Sequence, residues 1–451
     1  MDAQAPAGPA APTGRRIRLG SGTAWALSVQ LVTAVSTLVV GAIVARTLGP
    51  EGKGVLSLLQ QSVGILVILG DLGLGVAAIY YISKGEVRAG TVLGNALVLL
   101  AGVSVLALGG LVVLLRSPLA VIDVSWTYTA VAFALFALSL LLSWVGAIVT
   151  GVEGTRGAAR AAIVSSSVTL VAVVAFWLAG WASPLAVLAA AATGAALGIA
   201  SGLLPVLPAL HPVRASREAF RLMTRYSLKL HAATAADLIH FRQDLLILGW
   251  LGDTQSVGVY SVALSVAEIA SRLPSAIGAA IQAQASRVSE RSALDFSARA
   301  LRLTVLVALG TVVVLVVLVP VAVPAVFGTA FVPAVGAFYL LIPRIFANAL
   351  VWPVSSYQSA RGIVYWRVSM GATALNAALN VALVPVLGFH GSAIAASASN
   401  VVLLVLLLQR LCRDTGKGPR FFLVPTREDL ALARDAARGY ARVLRKRHQV
   451  E

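Results

Sequence analysis

Apolar residues in this chain do not alternate with polar ones; they gather in long runs broken by short polar clusters. Six runs lie in the first half, at about 20–44, 55–82, 91–115, 126–150, 158–180 and 184–208. Six more follow at about 226–250, 256–283, 300–322, 331–358, 364–386 and 391–411. An α-helix rises about 1.5 Å per residue, so roughly 20 apolar residues cross about 30 Å of hydrocarbon. The pattern therefore predicts an all-α polytopic membrane protein with about twelve transmembrane helices.

Composition agrees. Of the 451 residues, 59% are apolar and 12% charged, with a mean hydropathy of +0.89. A soluble domain carries about twice that share of charge, so polar surface is too scarce here and lipid must cover the body. The lone Cys412 forbids an intrachain disulfide and leaves no cysteine cluster for a metal. No metal or other cofactor is expected. Placing the N-terminus inside puts 29 of the 35 Lys and Arg residues on the cytoplasmic side, with only Arg46, Lys53 and Arg116 outside and three more within spans. Such an asymmetry orients membrane proteins. It predicts a multi-pass protein of the bacterial cytoplasmic membrane with both termini inside. The net charge of +17 is then explained by an anionic leaflet, without nucleic acid. Residues 1–14 read as a disordered Ala/Pro/Gly arm, and the first span serves as the targeting signal.

The halves share landmarks. Leu48-Gly49 and Gly54-Val55 before the second span return about 203 positions later as Leu251-Gly252 and Gly258-Val259, and Arg156-Gly157 returns 205 positions later as Arg361-Gly362. Duplication of a six-helix unit makes both copies enter from the same side. The expected organisation is thus two parallel six-helix lobes around a central cavity, 15–210 and 211–411, with a cytoplasmic tail at 412–451. Parallel repeats of this kind occur in transporters that rock about a midplane site.

Seven charges fall inside spans: Asp71, Asp237, Arg242, Asp244, Glu268, Arg272 and Arg344. Facing lipid they would together cost roughly 20 kcal/mol, so they face the interior or water and are candidates for a transport path. Ser261, Ser265, Glu268, Arg272 and Ser275 share one face of the eighth span, with Pro274 beside them; Arg344, Asn348, Ser355 and Ser359 make a similar stripe behind Pro343. An internal Glu268–Arg272 ion pair is the structural alternative. On the seventh span Asp237, His240 and Asp244 share a face, while His231 and Arg242 lie on another; both faces cannot line one narrow cavity, so one contacts neighbouring helices, and the sequence leaves open which. Asp237, His240, Glu268 and Asp71 are the candidates for coupling to a proton or sodium gradient, since histidine and buried carboxylates titrate near neutrality. Asn376 and Asn380, one turn apart, read first as bonds between neighbouring helices.

Val44-Ala45-Arg46-Thr47-Leu48-Gly49-Pro50-Glu51-Gly52-Lys53-Gly54 and Gly70-Asp71-Leu72-Gly73-Leu74 resemble the opening of Wzx-type polysaccharide-export flippases. Asp244-Leu245-Leu246-Ile247-Leu248-Gly249 with Val257-Gly258-Val259-Tyr260-Ser261 is similar to the start of their second half. Asn376, Asn380, Pro385, Gly388 and Gly391-Ser392-Ala393-Ile394-Ala395-Ala396 are similar to their late pattern. The resemblance implies the multidrug/oligosaccharidyl-lipid/polysaccharide exporter superfamily. It implies a cargo of undecaprenyl-diphosphate-linked oligosaccharide, as for O-antigen or exopolysaccharide, moved from the inner to the outer leaflet. Lipid II flippases of that superfamily have fourteen spans, against twelve here. Arg272 and Arg344 are then candidates to grip the diphosphate in bidentate fashion, with Asn348 and Ser265 beside them, Trp25 and Trp352 toward sugars, and Arg46 at the exit or snorkelling. Lipid-linked glycan and bilayer are the expected partners, with a glycan polymerase or glycosyltransferase as possible associates.

In the tail, Thr426 and Asp429 read as a helix-capping pair ahead of a basic amphipathic helix at the inner leaflet. No Walker-type loop occurs, since Gly416-Lys417 is followed by Gly418. No outer loop reaches beyond roughly 15 residues to hold an enzyme pocket. A non-enzymatic flippase is therefore expected, with a small-molecule antiporter of the same fold and an intramembrane glycan-processing enzyme as competing readings.

Overall fold

The structure, a computed structural model, describes residues 21–116, 120–122, 124–285, 290–360, 366–431 and 434. Within these, the side chains of Asp237 and Arg272 lie outside the described residues, as do the arm at 1–14 and the tail helix beyond 434. Among the described residues the chain forms fourteen α-helices. Helix α1 (Ser21–Asp71) is two helices joined at a sharp bend: Gly49 has φ 65°, ψ −172°. A side chain would be strained there, and Pro50 beyond it presets the first turn of the returning helix. The arms double back, so that Thr37 and Gln60, Gly41 and Leu56, and Val44 and Lys53 line one wall.

A second break follows. Leu72 (φ 48°) and Gly73 (φ 74°) are both left-handed, and α2 (Leu74–Ser83) completes the second span. The first lobe continues with α3 (Ala89–Arg116), α4 (Trp126–Glu153), α5 (Thr155–Leu178) and α6 (Pro184–Leu210). In the second lobe α7 (Arg217–His240) and α8 (Gln243–Leu251) form one interrupted span. After them come α9 (Thr254–Ala285), α10 (Glu290–Phe327), α11 (Pro333–Ala360), α12 (Trp366–Leu387) and α13 (Phe389–Thr415). The short α14 (Pro419–Leu423) follows. Among the described residues nine helices are long and apolar enough to cross a membrane. With α1 crossing twice, and α7–α8 and α9 in their places, the architecture is the expected pair of six-helix lobes.

Each lobe has its own apolar core. Phe136, Leu140 and Trp144 centre the first. Tyr260, Phe331 and Phe338 centre one cluster of the second, and Tyr357, Leu407 and Phe422 another. On the outside the polarity is inverted relative to a soluble protein: Val105, Leu106, Val317 and Val321 are among the many largely exposed apolar side chains. Bilayer lipid covers them.

The lobes are tied together at both ends. At the first, the start of the returning arm of α1 crosses α9 so closely that a methyl on Gly54 would lie 1.7 Å from the Thr254 carbonyl oxygen, and one on Gly258 1.8 Å from that of Pro50. Two glycines facing each other remove the side chains that keep helices apart. Arg46 ties the same end, donating from Nε to Val326 O at 2.9 Å and from its other arm to Ala325 O. At the opposite end α2 meets α7. The Tyr80 and Tyr226 rings stack at 4.7 Å, and Ser227 Oγ donates to Leu72 O at 3.2 Å. His231 Nδ1 stands 4.0 Å from Asp71 Oδ2, whose carboxylate also accepts from Gly73 N.

Below the second lobe, Thr426 N donates to Asp429 Oδ2 at 2.9 Å and Asp429 N to Thr426 Oγ1 at 3.3 Å, the reciprocal geometry of a capping pair. Asp429 is fully buried and also accepts from Arg302 Nε at 2.6 Å, while Phe422 packs into the core. The start of the tail is thus docked onto α10.

Candidate substrate chamber between the lobes

The interruption between α7 and α8 builds one wall of a central chamber. A broken helix in a membrane must satisfy its freed carbonyls, and here side chains from other helices do so. Gln61 of α1 donates from Nε2 to Arg242 O at 2.9 Å and accepts from Arg242 Nη1 at 3.3 Å, so the two lobes meet in a reciprocal pair. Arg344 of α11 donates to Phe241 O at 3.1 Å. Gln243 donates to Thr373 O and to Asn376 Oδ1.

The chamber, ≈ 420 Å³, lies between the lobes. Lys53, Ser57, Gln60 and Gln61 line it from the first lobe, and Arg242, Ser261, Ser265 and Glu268 from the second. A recess of ≈ 160 Å³ continues it past Arg242 and Glu268 to Ser271, Arg344, Asn348 and Trp352. Lys53 is 9% exposed. Among the described residues it has no ion-pair partner within 4.0 Å; it faces Glu268 across the chamber and attracts it electrostatically. An ammonium held in this way, in a body otherwise sheathed in lipid, is a feature of a path rather than of a core.

The residues expected from the sequence divide sharply. Glu268 lines chamber and recess and is exposed to both, and Ser265 lines the chamber while donating to Ser261 O at 2.8 Å. Asn348 lines the recess and donates to Ser271 Oγ at 3.3 Å. Arg344 reaches only the recess. Its Nη1 is committed to Asp244 Oδ2 at 2.7 Å, and Asp244 is fully buried, accepting also from Tyr260 Oη at 2.8 Å and from Leu245 N. This triad braces α8, α9 and α11 together. His240 is 1% exposed and packs edge-on against Phe241 at 5.2 Å, away from the chamber. Asp71 sits at the α2–α7 contact and Arg46 at the Gly54–Gly258 end, neither on the chamber wall. Of the aromatics, Trp352 lines the recess and Trp25 lies under Arg156 at 5.6 Å. Asn376 and Asn380 are fully buried in a chain with Ser399 and Ser392, bonding α12 to α13.

Lys53, Gln60 and Gln61 are not among the sequence candidates; Arg242 is one of the seven buried charges, on a seventh span whose cavity-lining face the sequence leaves open, and the structure puts it on the chamber wall. Lys53 follows Pro50 and precedes a glycine, which reads as loop; only the start of a helix at Pro50, in register with the Gly54–Gly258 repeat, could have turned it inward.

A family model for polysaccharide biosynthesis proteins matches residues 19–282, more than half of the chain. The chain belongs to this family. Curated protein sequences give no significant match. Among solved structures it is similar to the lipid II flippase MurJ in an inward closed conformation (TM-score 0.71, 12% identity, covering 86% of this chain and 87% of that one). It is also similar to an inward-facing multidrug resistance MATE transporter of the MOP superfamily (TM-score 0.67, 16% identity, 87% and 98% covered). A third likeness is a MOP superfamily transporter from Pyrococcus furiosus (TM-score 0.56, 15% identity, 88% and 95% covered). The family member described here is a multi-pass membrane protein with the two-lobed fold of these flippases and transporters.

Proposed function

We propose that this protein flips a polyprenyl-diphosphate-linked oligosaccharide, undecaprenyl in a bacterial cytoplasmic membrane, from the inner to the outer leaflet by alternating access of its two lobes. The observation that carries the reading is Lys53, buried and, among the described residues, without an ion-pair partner, lining with Arg242 a chamber whose one lining acid among those residues is Glu268. Arg344 adds no free charge because Asp244 neutralises it. A chamber with a surplus of cations is complementary to an anionic head group and holds it with charge-assisted hydrogen bonds. A cationic drug would find the wrong sign, which disfavours the antiporter reading. The sequence asymmetry in Lys and Arg supports both termini inside, so that the Gly54–Gly258 contact is the outer seal and the α2–α7 contact the inner one. Arg272 remains part of the proposed diphosphate site, one turn beyond Glu268. The prenyl chain stays in lipid, as its length and apolarity require.

Coupling to an ion gradient is proposed through Glu268, the acid on the chamber wall; Asp71, Asp237 and His240 stand as further coupling candidates away from that wall or outside the described side chains. A deletion strain complemented with Lys53→Ala or Arg242→Ala tests the reading. Each is expected to lower export at least tenfold at normal membrane level, with lipid-linked glycan accumulating in the inner leaflet. Wild-type export from both variants would refute the anionic cargo.

A further inference from the structure

A second cavity, ≈ 290 Å³, opens off the central chamber into the first lobe, and nothing above gives it a role. The two share Thr37, Lys53, Gln60, Leu135 and Ser139, so Lys53 stands at their junction. Beyond the junction, where Ser139 of α4 stands, the side chamber is lined by hydroxyls from α1 and α5: Thr33, Ser36, Ser165, Ser166 and Thr169. Its floor is apolar, with Val40, Leu142 and Ala195. Among the described residues no acid lines it, and Lys53 at the mouth is its one cation.

That lining selects a ligand. An apolar guest would strand the hydroxyls without partners in a membrane interior, at a cost. A cation would find no carboxylate. Some of these hydroxyls are already engaged. Ser36 Oγ donates its proton to Ser166 O at 3.0 Å, Thr169 Oγ1 donates to Ser165 O at 2.9 Å, and the Thr33 and Ser166 hydroxyls share one hydrogen at 3.4 Å. Those contacts use three of the hydroxyl protons; Ser139, Ser165 and one member of the Thr33–Ser166 pair keep theirs, so a guest meets both donors and acceptors. Among the described residues the side chamber therefore offers hydroxyl donors and acceptors and no ion beyond its mouth, which suits a neutral ligand bearing many hydroxyls. Its volume is at the low end of ligand cavities, about 300–1,000 Å³, which fits one sugar residue and not an oligosaccharide.

We infer that this hydroxyl-lined side chamber is the subsite for the first sugar of the cargo, a neutral hexose joined directly to the diphosphate that Lys53 and Arg242 hold. The inference rests on the flippase reading and deepens it. It orients the head group: diphosphate between the lobes, proximal sugar in the first lobe, remaining sugars along the central chamber. It also sets a specificity, since a uronic acid in the first position would bury a carboxylate among hydroxyls alone, with Lys53 engaged by the diphosphate.

The test uses the full-length protein in lipid nanodiscs, with three probes: geranylgeranyl diphosphate, its glucosyl ester and its glucuronosyl ester. The glucosyl ester is expected to bind about tenfold more tightly than the bare diphosphate, the equivalent of one or two net hydrogen bonds, and the glucuronosyl ester no more tightly than the bare compound. Ser166→Leu, which fills the side chamber, is expected to erase the gain while bare-diphosphate affinity stays at the wild-type value. Thr169→Val, nearly isosteric, should reduce the gain in part and guards against misfolding of the leucine variant. Equal affinity for the bare and glucosyl compounds, or an equal loss of both in Ser166→Leu, overturns the subsite. If the wild-type protein binds none of the three, the flippase reading falls first and the subsite with it.

Discussion

Replacing Gly54 or Gly258 by alanine is expected to pry the lobes apart at one end only. A methyl on Gly54 would meet the Thr254 carbonyl oxygen at 1.7 Å, and one on Gly258 the Pro50 oxygen at 1.8 Å, while ordinary contact begins at 3.4 Å. The backbones must therefore part by about 1.6–1.7 Å, because the obstructing atoms are main-chain oxygens with no rotamer to change. Overpacking of this kind costs about 1–3 kcal/mol. Only the conformer closed at this end bears that cost, so the equilibrium shifts toward opening there by about 5–150-fold. Transport slows because each cycle must pass through the disfavoured conformer. Spin labels on Glu51→Cys and Gln255→Cys, in a Cys412→Ser background that removes the sole native thiol, report the separation directly. A long-distance population should grow in Gly54→Ala and Gly258→Ala and stay unchanged in a control such as Gly102→Ala, where a Cβ meets nothing within 4 Å. Unaltered distances with wild-type transport in both variants would refute the idea that this crossing is a seal that opens.

Three further outcomes separate path from scaffold. Arg344→Ala leaves Asp244 buried and uncompensated, so it should lower stability by about 3–5 kcal/mol. Thermal melting in detergent reads this, and the double change Arg344→Met with Asp244→Leu should recover much of the loss. Glu268→Gln should alter the pH dependence of export in inverted vesicles; an unchanged profile removes that carboxylate from coupling. For the docked tail, burial alone would raise the pKa of Asp429, but hydrogen bonds from Arg302 and from Thr426 outweigh it and hold the group at about 2. A lowered carboxylate pKa gives stability that is complete above the unfolded value of about 3.9 and is lost as pH falls toward about 2. Pepsin cleavage at Phe421–Phe422 should accordingly be slow at pH 4 and accelerate near pH 2, whereas Asp429→Asn is cut quickly at both.

The legible part of the chain is the part where local composition has one physical outcome. A run of about 20 apolar residues leaves its backbone no partner in lipid except its own helix, so the places of the twelve crossings follow from the sequence, as does the Thr426–Asp429 cap, whose partners are three residues apart. The sequence also determined that seven charges must be hidden from lipid. It did not determine from what they would be hidden. Arg344 and Glu268 sit on similar stripes of similar helices, yet one is locked to Asp244 inside a lobe and the other faces the chamber. Helical periodicity reports only which side avoids lipid, and the interior of a lobe avoids it as completely as the space between lobes. Lys53 shows the reverse error: its polar, glycine-rich surroundings read as loop until the bend at Gly49 folds the returning arm inward. Which buried charges meet water and cargo is decided by how two lobes dock, through contacts such as Gly54 with Thr254 and Gln61 with Arg242 that join residues about 180–200 positions apart. That information belongs to the packing of distant helices, so only the tertiary structure holds it.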